Sequence, residues 1–250
     1  MKIDLAGKVA LVTASTAGIG FAIAKGLAES GAEVILNGRS EQSVNAAIAR
    51  LQNEVSGAKA RPAIADLSDA DGAAQLLRAV TGVDILVNNA GIIRRHDALT
   101  FTESDWDAVI DLNLKAVFFL SQAVARQFIR QGDGGKIINI ASMLSFQGGI
   151  RVPSYTASKS GVLGLTRLLA NEWAGQRINV NAIAPGYMAT NNTQALREDE
   201  ERNQAILERI PAGRWGEPKD LQGPVVFLAS AAADYINGYT LAVDGGWLAR

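Results

Sequence analysis

Short apolar runs alternate with amphipathic stretches along the chain, the rhythm of βαβ units wound around a parallel sheet. Residues 8–13 (KVALVT) predict a first buried strand, and 18–30 the helix after it. Residues 33–37 predict a second strand, and 40–55 a helix with Ser40 at its N-cap. Strands follow at 60–65 and 83–88, with a short helical stretch after Ser68 between them. A long helix spans 103–130, a fifth strand 136–141, a helix 153–173, a sixth strand 178–184 and a last strand 240–243. The expected fold is α/β, a doubly wound parallel sheet of about seven strands with helices on both faces, forming one domain over 1–250. One segment breaks the rhythm. Residues 188–214 are polar and charge-rich and follow a strand's C-terminal end, where open α/β sheets bind ligands; they read as a substrate lid, or else as a solvated helical excursion.

Composition narrows the function classes. The 250 residues are 48% hydrophobic and 20% charged with net charge −1, so neither a nucleic-acid nor a membrane-surface role has an electrostatic footprint. There is no cysteine, which excludes disulfides, thiol catalysis and cysteine-metal sites. His96 is the single histidine, so no multi-histidine metal site is expected. Residues 1–8 carry no basic region ahead of an apolar one, and no apolar run approaches the roughly 20 residues that span a bilayer; a cytoplasmic protein is the expectation.

The candidate chemistry sits at predicted strand ends. The first strand runs into Thr13-Ala-Ser15-Thr16-Ala-Gly18-Ile19-Gly20 and then a helix. A glycine-rich turn there lets backbone N–H groups and a helix N-terminus approach a pyrophosphate. Ala14 stands where the usual pattern has its first glycine, a methyl that is costly only if φ is positive. The second strand ends Asn37-Gly38-Arg39-Ser40, with no acid for ribose hydroxyls but an arginine suited to a 2′-phosphate; this favours NADP(H). Asp66 and Leu67 after the third strand, and Asn88-Asn89-Ala90-Gly91 after the fourth, fall on the same edge and are expected along the cofactor. On the helix at 153–173, Tyr155 and Lys159 are four residues apart and share a face. A phenol has a reference pKa of about 10, and a cation beside it favours phenolate, the requirement for proton transfer to a carbonyl or alcohol oxygen.

The glycine turn, Asn88-Asn89-Ala90-Gly91, Asn113, Ser142, Tyr155-x-x-x-Lys159 and Pro185-Gly186 together resemble the short-chain dehydrogenase/reductase family in order and spacing, over nearly the whole chain. The resemblance implies a Rossmann-type sheet, a nicotinamide cofactor touching Tyr155, Lys159, Pro185 and Gly186 among others, and a homotetramer. It also implies a catalytic tetrad of Asn113, Ser142, Tyr155 and Lys159. Ser142 would hold the substrate oxygen, Tyr155 would move the proton, Lys159 would bind the nicotinamide ribose, and Asn113 would fix a relay water. The stretches at 135–161, 183–193, 209–216 and 243–250 are similar to the family's C6 sugar-acid branch, which works at C5. Its first expected substrate is 2-dehydro-3-deoxy-D-gluconate; gluconate and a deoxyhexoseulose uronate are the alternatives. That branch leaves NAD(H) possible. A ketoreductase for acyl-carrier-protein thioesters and a nucleotide sensor without chemistry are more remote readings.

A sugar acid brings a carboxylate and several hydroxyls, so its pocket needs arginine and amides. Arg151 is the first candidate for the carboxylate, followed by Arg94 and Arg95, with Gln147, Asn191 and Asn192 at the rim. His96 is expected at the rim or in a contact, Trp106 and Trp173 in the core or an interface, and Trp215 and Trp247 as candidate pocket walls.

Overall fold

The computed structural model describes residues 3–69 and 71–250. The sequence readings at Met1, Lys2 and Ala70 lie outside the described residues. Seven strands form one all-parallel sheet: β1 (Val9–Val12), β2 (Glu33–Gly38), β3 (Ala60–Ile64), β4 (Ile85–Asn88), β5 (Gly135–Ile140), β6 (Ile178–Pro185) and β7 (Thr240–Val243). Their spatial order is β3-β2-β1-β4-β5-β6-β7. The helices are α1 (Gly18–Glu29), α2 (Glu41–Glu54), α3 (Gly72–Ala79), α4 (Glu103–Ile110), α5 (Ala116–Gln131), α6 (Pro153–Trp173), α7 (Gln194–Glu198), α8 (Glu200–Arg209) and α9 (Gln222–Ala229).

Strand alternation sorts the apolar residues onto two faces. Ala10, Val12, Val34, Leu36, Ile85 and Val87 pack on one side with α1, α2 and α9. Leu11, Ile35, Leu86, Ile137 and Val180 pack on the other, with Leu76 of α3 and Leu120, Val124 and Phe128 of α5. Both faces are covered, which is why these strands are near-continuously apolar. Strand order reverses between β1 and β4, opening a crevice at their C-terminal ends.

The helix expected over 103–130 is not uniform. A π-helical turn, Asp111–Lys115, separates α4 from α5, and Asn113 lies in it. Hydrophobic spacing cannot reveal one extra residue in a turn, although π turns recur at functional sites. The run Glu103–Gln131, interrupted by charged residues, is also long and apolar enough, by length and composition, to cross a membrane. Here it is a flank of the sheet: Val117, Leu120, Val124 and Phe128 are buried, while Phe119 and Ile129 remain exposed. The segment 188–214 carries a 3₁₀ turn at Asn191–Thr193 followed by α7 and α8. It is tied to the body by Ile206 and Ile210, which pack with Met143 and Trp247.

Candidate active site

At the mouth of the crevice the turn after β1 is bound into the sheet. The buried Thr13 hydroxyl accepts from the N–H groups of Asn89 and Ala90, both at 2.9 Å. Asn89 Nδ2 in return donates to the carbonyls of Thr13 (2.9 Å) and Ala14 (3.2 Å). Asn37 accepts from the Ala14 N–H at 3.0 Å. Held at its N–H and its carbonyl, Ala14 has φ +48°, the strained case for a residue with a Cβ. Gly20 has no room for a side chain: a Cβ would lie 2.3 Å from the Ala14 carbonyl oxygen and 2.6 Å from Asn89 Nδ2. Gly18, at φ +55°, faces open space. The first N–H groups of α1 have no partner within the helix and open onto the crevice.

Ser15 departs from expectation. Its N–H donates to the Asn37 carbonyl, and its hydroxyl donates to the Val12 carbonyl and accepts from the Asn37 N–H. With its hydroxyl and N–H donors both used inside the fold, Ser15 shapes the turn and has no donor left for a phosphate. Further along the same edge, Arg39 and Ser40 are exposed. Ser40 caps α2, accepting from the Ser43 N–H at 3.3 Å. Thr16 Cγ2 would sit 2.6 Å from a Cβ on Gly38, so Thr16 lies against the end of β2. The Asp66 carboxyl is held below its usual range by the Ser68 hydroxyl at 2.6 Å, with a contribution from the nearby Arg39 charge. Leu67 is buried beside it.

A cleft of about 520 Å³ joins this turn to the tetrad. Its walls include Gly18, Ile19, Gly20, Asn89 and Gly91 at one end, and Ser142, Tyr155, Lys159, Pro185 and Gly186 at the other. Lys159 is buried and its Nζ donates to the Ile140 carbonyl at 2.6 Å. Burial lowers its pKa to about 8. Nζ lies 5.8 Å from the centre of the Tyr155 ring.

The phenol does not follow the sequence argument. Burial pushes Tyr155 above its ordinary value, while the Ser142 hydroxyl and the Arg95 charge pull it back only in part. Desolvation outweighs the neighbouring charges, so Tyr155 is a protonated acid at neutral pH. Asn113 is fully buried, and its side chain is committed: Oδ1 accepts from the Ile92 N–H at 2.9 Å, and Nδ2 donates to the Ile92 carbonyl at 2.8 Å. Nδ2 also donates to the Ser158 hydroxyl at 3.4 Å. Asn113 thereby braces the Gly91-Ile92 turn, where a Cβ on Gly91 would be 3.2 Å from Asn113 Oδ1 and 3.6 Å from Lys159 Nζ.

At the substrate end the arginines separate. Arg95 lines the cleft and donates to the Asn192 carbonyl at 3.4 Å. Arg94 is paired with Asp105 at 3.3 Å, and His96 Nε2 is 3.6 Å from the same carboxylate. Arg151, favoured from sequence, is exposed at φ +63° and is not on the cleft wall. Asn191 and Asn192 line the cleft, whereas Gln147 turns back to Met143 Sδ at 3.6 Å. Trp215 and Trp247 do not line the cleft either. They pack against Tyr187, with ring centres 5.4 and 4.9 Å away, behind the 188–214 segment. Trp106 is half-exposed and Trp173 packs at the edge of the core. Met188, Ala189 and Thr190, within the segment read as a lid, line the cleft wall; the sequence reading did not single out Ile92, Ile93, Ile140 and Ala141 there, although all four lie at or just past strand ends. Among the described residues no group of three or more His, Cys, Asp or Glu is placed to hold a metal.

The family model for short chain dehydrogenase matches residues 8–201. The chain belongs to the short-chain dehydrogenase family. It is 63% identical to the 2-dehydro-3-deoxy-D-gluconate 5-dehydrogenase of Dickeya dadantii, over 99% of this chain and 98% of that protein. A crystal structure from Agrobacterium tumefaciens, provisionally named a 2-deoxy-D-gluconate 3-dehydrogenase and holding NADP, is 57% identical with a TM-score of 0.92 and covers 100% of this chain and 99% of its own. A gluconate 5-dehydrogenase from Burkholderia cenocepacia, in complex with NADP and tartrate, is 41% identical with a TM-score of 0.94, covering 100% and 98%. Membership makes this chain an NAD(P)-dependent oxidoreductase acting on CH–OH groups.

Proposed function

We propose that this protein transfers hydride between NADP(H) and C5 of a C6 sugar acid, with 2-dehydro-3-deoxy-D-gluconate as its substrate. The observation that carries the reading is Arg95 on the same polar cleft as Ser142, Tyr155 and Lys159, close enough to bias the phenol. A guanidinium there suits a carboxylate, and the lid amides of Asn191 and Asn192 suit hydroxyls.

The residues present fit the dinucleotide. Gly18 leaves open space at the head of α1, Gly20 lets the helix close against the Ala14 carbonyl, and the α1 N-terminus offers N–H groups to a pyrophosphate. Gly18, Ile19, Asn89, Ala90, Gly91, Pro185 and Gly186 would flank the cofactor, with Asp66 and Leu67 towards the adenine. Arg39 and Ser40, beside Thr16, would take a 2′-phosphate. The nicotinamide supplies or accepts the hydride. Ser142 donates a hydrogen bond to the substrate oxygen, and Tyr155 hands its proton to the alkoxide that develops there. Lys159 holds the ribose and keeps a positive charge beside the phenol. In the oxidative direction Tyr155 must first lose its proton, which its burial opposes.

The segment 188–214 acts as a lid in this reading, supported by the six cleft-lining residues from Met188 to Thr193. A homotetramer goes with it: Phe119 and Ile129 of α5 and Leu168 of α6 expose apolar surface suited to a second copy. So does a cytoplasmic location.

Initial rates with 2-dehydro-3-deoxy-D-gluconate and gluconate, each with NAD and NADP, test the assignment. The expected result is preferred turnover of the deoxy acid with NADP. An Arg39→Ala variant should raise the KM for NADP by about tenfold or more and leave that for NAD within about threefold. Turnover of gluconate alone would move the assignment to a gluconate 5-dehydrogenase.

A further inference from the structure

Ser145 belongs to no cleft wall, yet its hydroxyl joins two members of the tetrad. Its Oγ donates to the main-chain carbonyl of Lys159 at 2.7 Å and accepts from the N–H of Ser142 at 3.3 Å. Its own N–H donates to the Ser142 carbonyl at 2.9 Å. Ser142 in turn accepts, through Oγ, from the Leu144 N–H at 3.2 Å, which aims the hydroxyl from the start of a 3₁₀ turn. Meanwhile the Lys159 ammonium reaches back to the Ile140 carbonyl, two residues before Ser142.

The result is a closed ring: Ile140, Ala141 and Ser142 along the chain, Ser145 across the gap, then Lys159 back to Ile140. Lys159 is therefore fixed to the end of β5 at both its main chain and its Nζ. A main-chain carbonyl inside α6 already serves the helix, so a second donor there is not required for satisfying the backbone. What the extra bond adds is a fixed distance between the Ser142 turn and the helix that carries Tyr155 and Lys159.

We propose that Ser145 is a positioning residue for hydride transfer, holding Ser142 in register with Tyr155 and Lys159. It acts through Ser142 and Lys159 and does not touch the substrate. The inference rests on the proposed oxidoreductase reading. Small misplacements of reacting groups are costly, so loss of this hydroxyl should lower kcat by about tenfold or more with substrate KM within about twofold.

The test compares wild type, Ser145→Ala, Ser145→Thr and Tyr155→Phe, with kcat, KM, the pH profile of oxidation and Tm for each. Ser145→Ala is expected to lose kcat and to move the rise of the oxidation profile to higher pH, because the phenolate loses its aligned partners. Ser145→Thr, which keeps the hydroxyl, should recover most of kcat. Wild-type kcat and pH profile in Ser145→Ala, with only Tm lowered, would overturn the proposal and leave a structural serine. If the alanine variant fails to fold, Ser145→Cys decides: similar in size but a weak donor, it should fold and lose kcat, and full activity would overturn the proposal. Wild type without turnover, or Tyr155→Phe with wild-type activity, would instead refute the reading beneath it.

Discussion

At the scale of single residues, strain and desolvation fall where the chemistry is. Ala14 holds φ +48° because Asn37 and Asn89 grip both sides of its peptide. Left-handed backbone costs a non-glycine residue about 1–2 kcal/mol, and glycine's own entropy returns about half of that. Ala14→Gly should therefore raise stability by about 0.5–1 kcal/mol and Tm by about 2 °C; a lowered Tm in a thermal melt would contradict this. Tyr155 gives a kinetic prediction. Since burial raises its phenol, the rate of substrate oxidation should climb from pH 6 to above pH 8, whereas reduction, which uses the protonated form, should stay level near neutrality. An oxidation optimum below pH 7 would contradict it. The Tyr155-Lys159 spacing and Ser142 were legible in the sequence because a motif fixes them. The sign of the phenol's shift was not, because desolvation depends on everything packed around it. Arg95 over Arg151 was equally invisible, since several arginines follow strand ends and only their local backbone decides which one faces inward.

At the scale of elements, the strands and the helix Pro153–Trp173 follow directly from apolar runs, a proline at the helix start and strict alternation. Two elements do not. The helix α9 (QGPVVFLA) is apolar nearly all round and carries a proline in its first turn, so periodicity offers no face to read. The π turn at Asp111–Lys115 makes its reason plain only in three dimensions: it directs the Asn113 amide onto both polar groups of Ile92. Asn113→Ala would leave those groups without partners in a part-buried site, at a cost of about 2–4 kcal/mol, and should lower kcat as well. Unchanged stability and activity would show that the turn needs no such brace. The β5–α6 junction carries a pH signature. Folding lowers the Lys159 pKa from 10.5 to about 8, so between those values the unfolded chain binds more protons and stability rises with pH. The Tm of wild type relative to Lys159→Met should shift in favour of wild type from pH 7.5 to 10, on the order of 3 kcal/mol at full deprotonation. A flat difference would mean that the amine is not desolvated.

At the scale of the whole molecule, strand order puts the glycine turn and the Asn89-Gly91 turn on either side of one crevice, and β5 and α6 bring Ser142, Tyr155 and Lys159 to its far end. The doubly wound sheet was legible from alternation alone, because both faces must be covered. The exposed apolar stripe on α5 and α6 was not, because periodicity cannot separate a core-facing residue from one left on the surface. Light scattering should find a tetramer, and Phe119→Arg with Leu168→Arg should reduce its mass; a monomeric wild type would refute the arrangement. The central claim, a short-chain dehydrogenase tetrad working on a sugar acid, is tested most directly by the rate of NADP-linked oxidation of 2-dehydro-3-deoxy-D-gluconate in wild type and Tyr155→Phe. The account predicts turnover in wild type and a loss of about a thousandfold or more in the variant, with NADP binding unchanged. A variant within tenfold of wild type, or a wild type that leaves the deoxy acid untouched, would contradict it.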